Sequence, residues 1–233
     1  MVRSRLTFVV VASLAALALT GCAPALPTAG PTASATVTPS ATPTPTPIPT
    51  KPTLAQLVVS PDGLGYLVPA QPVPNEPAAT AIMRYDPTNC VSPGGVAAGS
   101  PGAGAWIPNY PDADSALGSR MPFDVGPVDN STAPIHAIEV WSAELTTAKH
   151  IGVGSTVAEL TASYGSSLTV DAADNSDVYV LRGSASELLF EVAKPDSGLP
   201  AAAIGTVVWM RIVPTDEAYL HIANTDAAGP CSI

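Results

Sequence analysis

The clearest pattern in the chain runs from Ile151 to Gly165. Val157, Leu160 and Tyr164 fall at i, i+3 and i+7, the spacing of one helix face. Thr156 stands just before them and Glu159 three residues after it, which reads as a capping box. Gly165 follows where a left-handed C-cap residue is wanted. The stretch predicts a short helix, and a helix of about two turns is not stable alone in water. Its apolar face therefore needs a sheet to dock on.

Strand signals surround it. Leu57-Val58-Val59 leads into Ser60-Pro61-Asp62-Gly63, a turn. Residues 135–141 alternate, with Ile138 and Val140 on one face. Val178-Tyr179-Val180-Leu181 follows a polar loop at 171–177, and Glu187-Leu188-Leu189-Phe190-Glu191-Val192 comes next. The run 206–213 is the strongest strand signal, and Tyr219-Leu220-His221-Ile222 predicts a last short one. Residues 87–134 are rich in Gly, Pro, Asp and Ser and, beyond Gly104-Ala105-Trp106-Ile107, predict long surface loops. The expected class is α+β: an antiparallel meander with one or a few short helices. The halves 54–145 and 146–233 read as two degenerate tandem units, with residues 63–68 answering to 151–154.

The first 53 residues have a different composition. Arg3 and Arg5 precede an apolar run at 6–19, which ends in Leu19-Thr20-Gly21-Cys22. This order is that of a secretory signal over residues 1–21. From Ala23 to Thr53 the chain is mostly Pro, Thr and Ala, with Thr42-Pro43-Thr44-Pro45-Thr46-Pro47 at the centre. Such a segment has no apolar face and is expected to be a disordered linker, extended at ~3.1 Å per residue where proline holds it in polyproline II. No other apolar run reaches the ~18 residues of a membrane-spanning helix.

Leu19-Thr20-Gly21-Cys22 resembles the lipobox of bacterial lipoproteins. That resemblance implies cleavage before Cys22, acyl chains of the palmitate kind on Cys22, and anchorage on the extracytoplasmic face of the cell membrane. Two or more chains give stable anchoring where one is marginal. In an exported chain, the remaining cysteines, Cys90 and Cys231, are expected to pair as a disulfide.

Gly152-Val153-Gly154-Ser155-Thr156 with Glu159-Leu160, followed by the meander to residue 213, is similar to the repeat unit of small envelope lipoproteins and of β-lactamase inhibitor proteins. What that implies is a helix-loop-helix packed on an antiparallel sheet, sometimes in tandem, and a role in protein binding or assembly support, without catalysis. Pro69-Ala70-Gln71-Pro72 departs from this motif in the first half.

Charge and candidate chemistry narrow the function. The formal charge is −10, with no Lys/Arg cluster, which argues against nucleic acid and against docking on anionic lipid. No Gly-x-Ser-x-Gly or Ser-x-x-Lys is present; Thr146-Thr147-Ala148-Lys149 reads as a polar connection. His136, His150 and His221 lack zinc spacing, and His136 and Glu139 fall on opposite faces of a strand. Asp171, Asp174, Asn175 and Asp177 lack the ligand spacing of an EF-hand and read as a solvated hairpin connection. No metal or cofactor is expected. Trp106-Ile107-Pro108-Asn109-Tyr110 reads as part of a Gly/Pro-rich loop with aromatic tips, a partner or sugar contact, which makes Trp106 and Tyr110 the candidate binding residues. The expectation is a membrane-anchored, non-catalytic binding or assembly lipoprotein, whose partner is an envelope protein or a small ligand. The alternatives are an enzyme acting on the cell wall and a structural surface protein without a dedicated ligand.

Overall fold

The computed structural model describes residues 49–93, 95–126, 130–215 and 231. Cys22, the leader, the linker up to residue 48 and the strand expected at 219–222 lie outside the described residues. In chain order the strands are β1 (Val58–Ser60), β2 (Gly63–Leu64), β3 (Met83–Asp86), β4 (Ala105–Pro108), β5 (Ala113–Ser115), β6 (Gly118–Arg120), β7 (Phe123–Val125), β8 (Ile138–Val140) and β9 (Thr146–Thr147). After α1 (Val157–Tyr164) come β10 (Leu168–Ala172), β11 (Ser176–Arg182), β12 (Ser186–Ala193) and β13 (Val207–Pro214).

Six strands form one antiparallel sheet in the order β10-β11-β12-β13-β8-β7. Its register sets two apolar rows. Phe123 opposes Val140, which opposes Met210, then Phe190 and Tyr179; Val125, Ile138, Ile212, Leu188 and Leu181 form the next row. Both rows lie on one face and make the main core, together with Val59 and Leu64 from the small sheet β2-β1-β9 and Leu160 from α1. β12 is buried along its whole length, including Glu187 and Glu191, as a central strand covered on both faces must be.

The helix is built as its sequence predicts. The Thr156 hydroxyl accepts from the Glu159 amide at 3.3 Å, and the Glu159 carboxylate accepts from the Thr156 amide at 2.8 Å. Leu160 is fully buried, and the Tyr164 ring packs on Phe190 with centroids 5.9 Å apart. Gly165 has φ of +51°, which a side chain would strain.

The class is nevertheless not α+β. Thirteen strands and one short helix make the described residues nearly all β. The tandem arrangement fails with it. β7 and β8 from the first half and β10 to β13 from the second share one sheet, and no helix follows residues 63–68. β4 falls on the strand signal at 104–107, but the rest of the region 87–134 is not a set of loops, since it holds β5, β6 and β7. These strands are three residues long, so each shows too little alternation to stand out from its Gly/Pro punctuation. Among the described residues, no helix is long and apolar enough to cross a membrane.

Candidate functional site: a cleft around Trp106

The cleft is organised by the β3–β4 hairpin. Its register sets Tyr85 opposite Trp106 and Arg84 opposite Ile107. Tyr85 and Trp106 therefore meet on one face, edge to face, with centroids 5.4 Å apart. Gly104 makes room for this: a Cβ there would come within 2.2 Å of the Tyr85 hydroxyl. β4 packs against β7, at the rim of the large sheet, and Tyr110 lies against Phe123 at 5.9 Å.

The chain on either side is tied to this hairpin by hydrogen bonds. The Asn109 amide donates to the Ile82 carbonyl, and Asn109 Nδ2 donates to the Ala81 carbonyl at 3.0 Å. The Tyr66 hydroxyl accepts from the Ile82 amide at 3.0 Å. The Tyr110 hydroxyl donates to the Pro52 carbonyl at 2.8 Å. Lys51 Nζ lies 4.4 Å from the centre of the Tyr110 ring and donates to the Asn109 carbonyl. Burial pushes the Tyr110 phenol up to about 12 and raises Tyr66, so both remain protonated at neutral pH.

Two adjoining cavities result. One, of about 1000 Å³, is lined by Lys51, Glu76, Arg84, Tyr85, Trp106 and Tyr110 among others. The second, of about 830 Å³, is lined by Tyr66 and Gln71 among others. Trp106, Pro74, Asn75 and Ser131 border both. Trp106 is only 8% exposed, and its Nε1 has no hydrogen-bond partner.

The structure thus brings the two aromatic residues read from the sequence, Trp106 and Tyr110, to one cleft, although Trp106 sits in a strand and not in a loop. Tyr66, Tyr85, Arg84, Glu76 and Lys51 were not legible as site residues. The alternation of Met83-Arg84-Tyr85-Asp86 is a usable strand signal for Tyr85; Lys51, 33 positions before Arg84 in the chain, carries none.

The other candidates lie elsewhere. Cys90 and Cys231 are joined by a disulfide, with Cα atoms 5.4 Å apart. Asp177 is ion-paired with Lys194 at 2.7 Å. Lys149 donates to the Ser163 carbonyl at 2.5 Å and lies over the Tyr164 ring, holding the end of α1. His136 and His150 are exposed, and His221 is outside the described residues.

A second group of ionisable residues was missed by the sequence reading. On the face of the large sheet away from the main core, Asp124, Glu139 and Arg211 form a row across β7, β8 and β13. Arg211 Nε lies 3.5 Å from Glu139 Oε1. Trp141 Nε1 donates to Asp124 Oδ2 at 2.8 Å, Trp141 stacks on Trp209, and the Arg120 guanidinium lies 4.4 Å from the centre of the Trp141 ring. Burial, and then the Glu139 charge, push the Asp124 carboxyl well above the usual carboxylate range; the Trp141 hydrogen bond and the two arginines oppose this in part. The group is sealed. Asp124 and Glu139 are 2% and 3% exposed, and Ala116, Leu117, Leu199 and Ile204 pack over the tryptophan pair.

Fold and site together describe a nearly all-β protein with an open aromatic cleft at the rim of its main sheet. Compared with protein families, with curated proteins and with solved structures, the chain matches none.

Proposed function

We propose that this chain is a lipid-anchored, extracytoplasmic binding protein of the cell envelope, and that the Trp106 cleft holds its ligand. The observation that carries the binding reading is the pair of cavities, about 1000 and 830 Å³, on either side of one tryptophan. Aromatic rings, prolines and a few polar groups line them, the composition of a recognition site. The anchor rests on Arg3, Arg5, the apolar run at 6–19 and Leu19-Thr20-Gly21-Cys22. The reading is non-catalytic because, among the described residues, Glu76 is the one carboxylate lining either cavity, with no second carboxylate beside it to form an acid–base pair. The Asp124–Glu139 pair is shut away from solvent.

The test places a photoreactive amino acid at Ala79, an exposed residue of the cleft lining, in the full chain in intact cells. A second set carries Cys22→Ser. The expected result is a crosslinked envelope component captured from position 79 but not from Thr169 on β10, with the Cys22→Ser protein lost from the membrane fraction. Unchanged membrane retention of Cys22→Ser overturns the anchor. Equal capture from both positions, or none from position 79, overturns the cleft.

A further inference from the structure

We infer that the ligand of this cleft is an extended, proline-rich peptide strand, neutral or acidic, bound in the polyproline II conformation. This rests on the cleft being the binding site and names its ligand class.

The rim of the cleft already holds such a strand. Residues 49–53, Pro-Thr-Lys-Pro-Thr, enter the fold without helix or sheet. Thr53 has φ −72° and ψ 162°, close to polyproline II values. A strand of this kind makes no internal hydrogen bonds, so its carbonyls are free for side-chain donors. Tyr110 uses one of them, through its hydroxyl to the Pro52 carbonyl at 2.8 Å. Aromatic-lined grooves are a recurring way of taking proline-rich peptides in this conformation.

The same chemistry continues beyond Tyr110. Tyr85 and Trp106 stand next along the wall, with Pro74, Pro108 and Pro111 between and around them. Proline rings fill the spaces between such rings and lose little entropy, because the free peptide is already extended. A proline-rich strand offers carbonyl acceptors and few amide donors. Lys51, Arg84 and Asn75 supply donors along the lining. Among the described lining residues Lys51 and Arg84 stand against Glu76, and Arg84 also lies 3.8 Å from Asp86, so the lining holds no excess of acid that would call for a cationic strand.

The experiment titrates the full chain in detergent with three probes: a (Thr-Pro)5 peptide, its (Thr-Ala)5 counterpart and a tetramer of N-acetylglucosamine. Binding is read by tryptophan fluorescence and calorimetry. Tyr85→Ala and the exposed Arg84→Ala are the test variants, with thermal unfolding as the control for folding. Pro43→Ala/Pro45→Ala/Pro47→Ala removes the chain's own Thr-Pro repeat as a competitor. The expected result is saturable binding of (Thr-Pro)5, at least about tenfold tighter than (Thr-Ala)5, and weakened about tenfold by Tyr85→Ala and less by Arg84→Ala. No (Thr-Pro)5 binding by either the wild type or the triple proline variant overturns the inference, as does binding that both Tyr85→Ala and Arg84→Ala leave unchanged. If the sugar alone binds in a Tyr85-dependent way, the ligand class is wrong and the cleft stands. If no probe binds and position 79 captures nothing in cells, both fail.

Discussion

Asp124 and Glu139 face each other across β7 and β8, side by side on a covered face of the main sheet. Two carboxyls so placed cannot both ionise without cost, and burial adds to that cost. Asp124 therefore keeps its proton in the folded state at a pH where the unfolded chain has released it. Because its folded value is raised, the proton's contribution is fully present below the ordinary aspartate value. It is lost as pH rises through the raised one. In that window the native state binds more protons, so each pH unit weakens folding by up to about tenfold per group. The expected outcome is a melting temperature that falls from mildly acidic to neutral pH. Asp124→Asn keeps an oxygen to accept from Trp141 Nε1 and should flatten this slope. Equal slopes in thermal unfolding across the pH series would assign the proton elsewhere.

Asp62 titrates with the opposite sign. Its Oδ1 accepts from the Ser184 amide at 2.9 Å and from the Ser184 hydroxyl at 2.8 Å, and these bonds hold the carboxyl below its usual range. The contact ties the β1–β2 turn to the β11–β12 hairpin, 122 positions away. Its stability is present above the ordinary aspartate value and is lost as pH falls through the lowered one. Asp62→Ala should lower the melting temperature at pH 7, with the gap to wild type closing at strongly acidic pH. A gap that persists unchanged in acid would show that shape, and not charge, carries the effect.

Why some of this was legible and some not follows from element length and from partners distant in sequence. Residues 156–165 carry their own instructions: the cap and the apolar face are local and form as read, while Gly165 takes a positive φ but, with ψ of −127°, not the left-handed helical conformation. The long strands β12 and β13 were legible because eight residues show a pattern. Phe123-Asp124-Val125 shows almost none. Its aspartate, flanked by Pro122 and Gly126, marks a loop in sequence, while in the fold it pairs with Glu139 at the far side of a connection. The error in fold class came from there, because three short strands, β5, β6 and β7, were read as loops. The cleft was half legible. Trp106 and Tyr110 announced themselves as aromatics among Gly and Pro, whereas Lys51, Tyr66 and Tyr85 join them only through folding.

The capping box of α1 offers a clean local test. Thr156 and Glu159 exchange hydrogen bonds at the exposed start of a helix of eight residues. Thr156→Ala removes the cap and should cost ~1 kcal/mol. Leu160→Ala strips the one fully buried side chain of that helix and should cost ~2–5 kcal/mol. Urea titration followed by circular dichroism gives both. A Leu160→Ala cost no larger than that of Thr156→Ala would mean that α1 is peripheral to the core.

The disulfide joins residues 141 positions apart, so it closes the chain from β4 to β13 into one loop. In the chain-entropy model a loop of that length contributes ~4–5 kcal/mol through the unfolded state. Cys90 also lies in the connection between β3 and β4, where its amide donates to the Ala103 carbonyl. Reduction should thus lower the denaturant midpoint of the whole fold and weaken ligand binding at the cleft, which that hairpin carries. Cys90→Ser/Cys231→Ser should reproduce both effects and lose sensitivity to reductant. In the unreduced protein, thiol labelling after denaturation should mark neither cysteine. If reductant shifts the midpoint of the double variant as much as that of the wild type, the stabilisation belongs to something other than this bond.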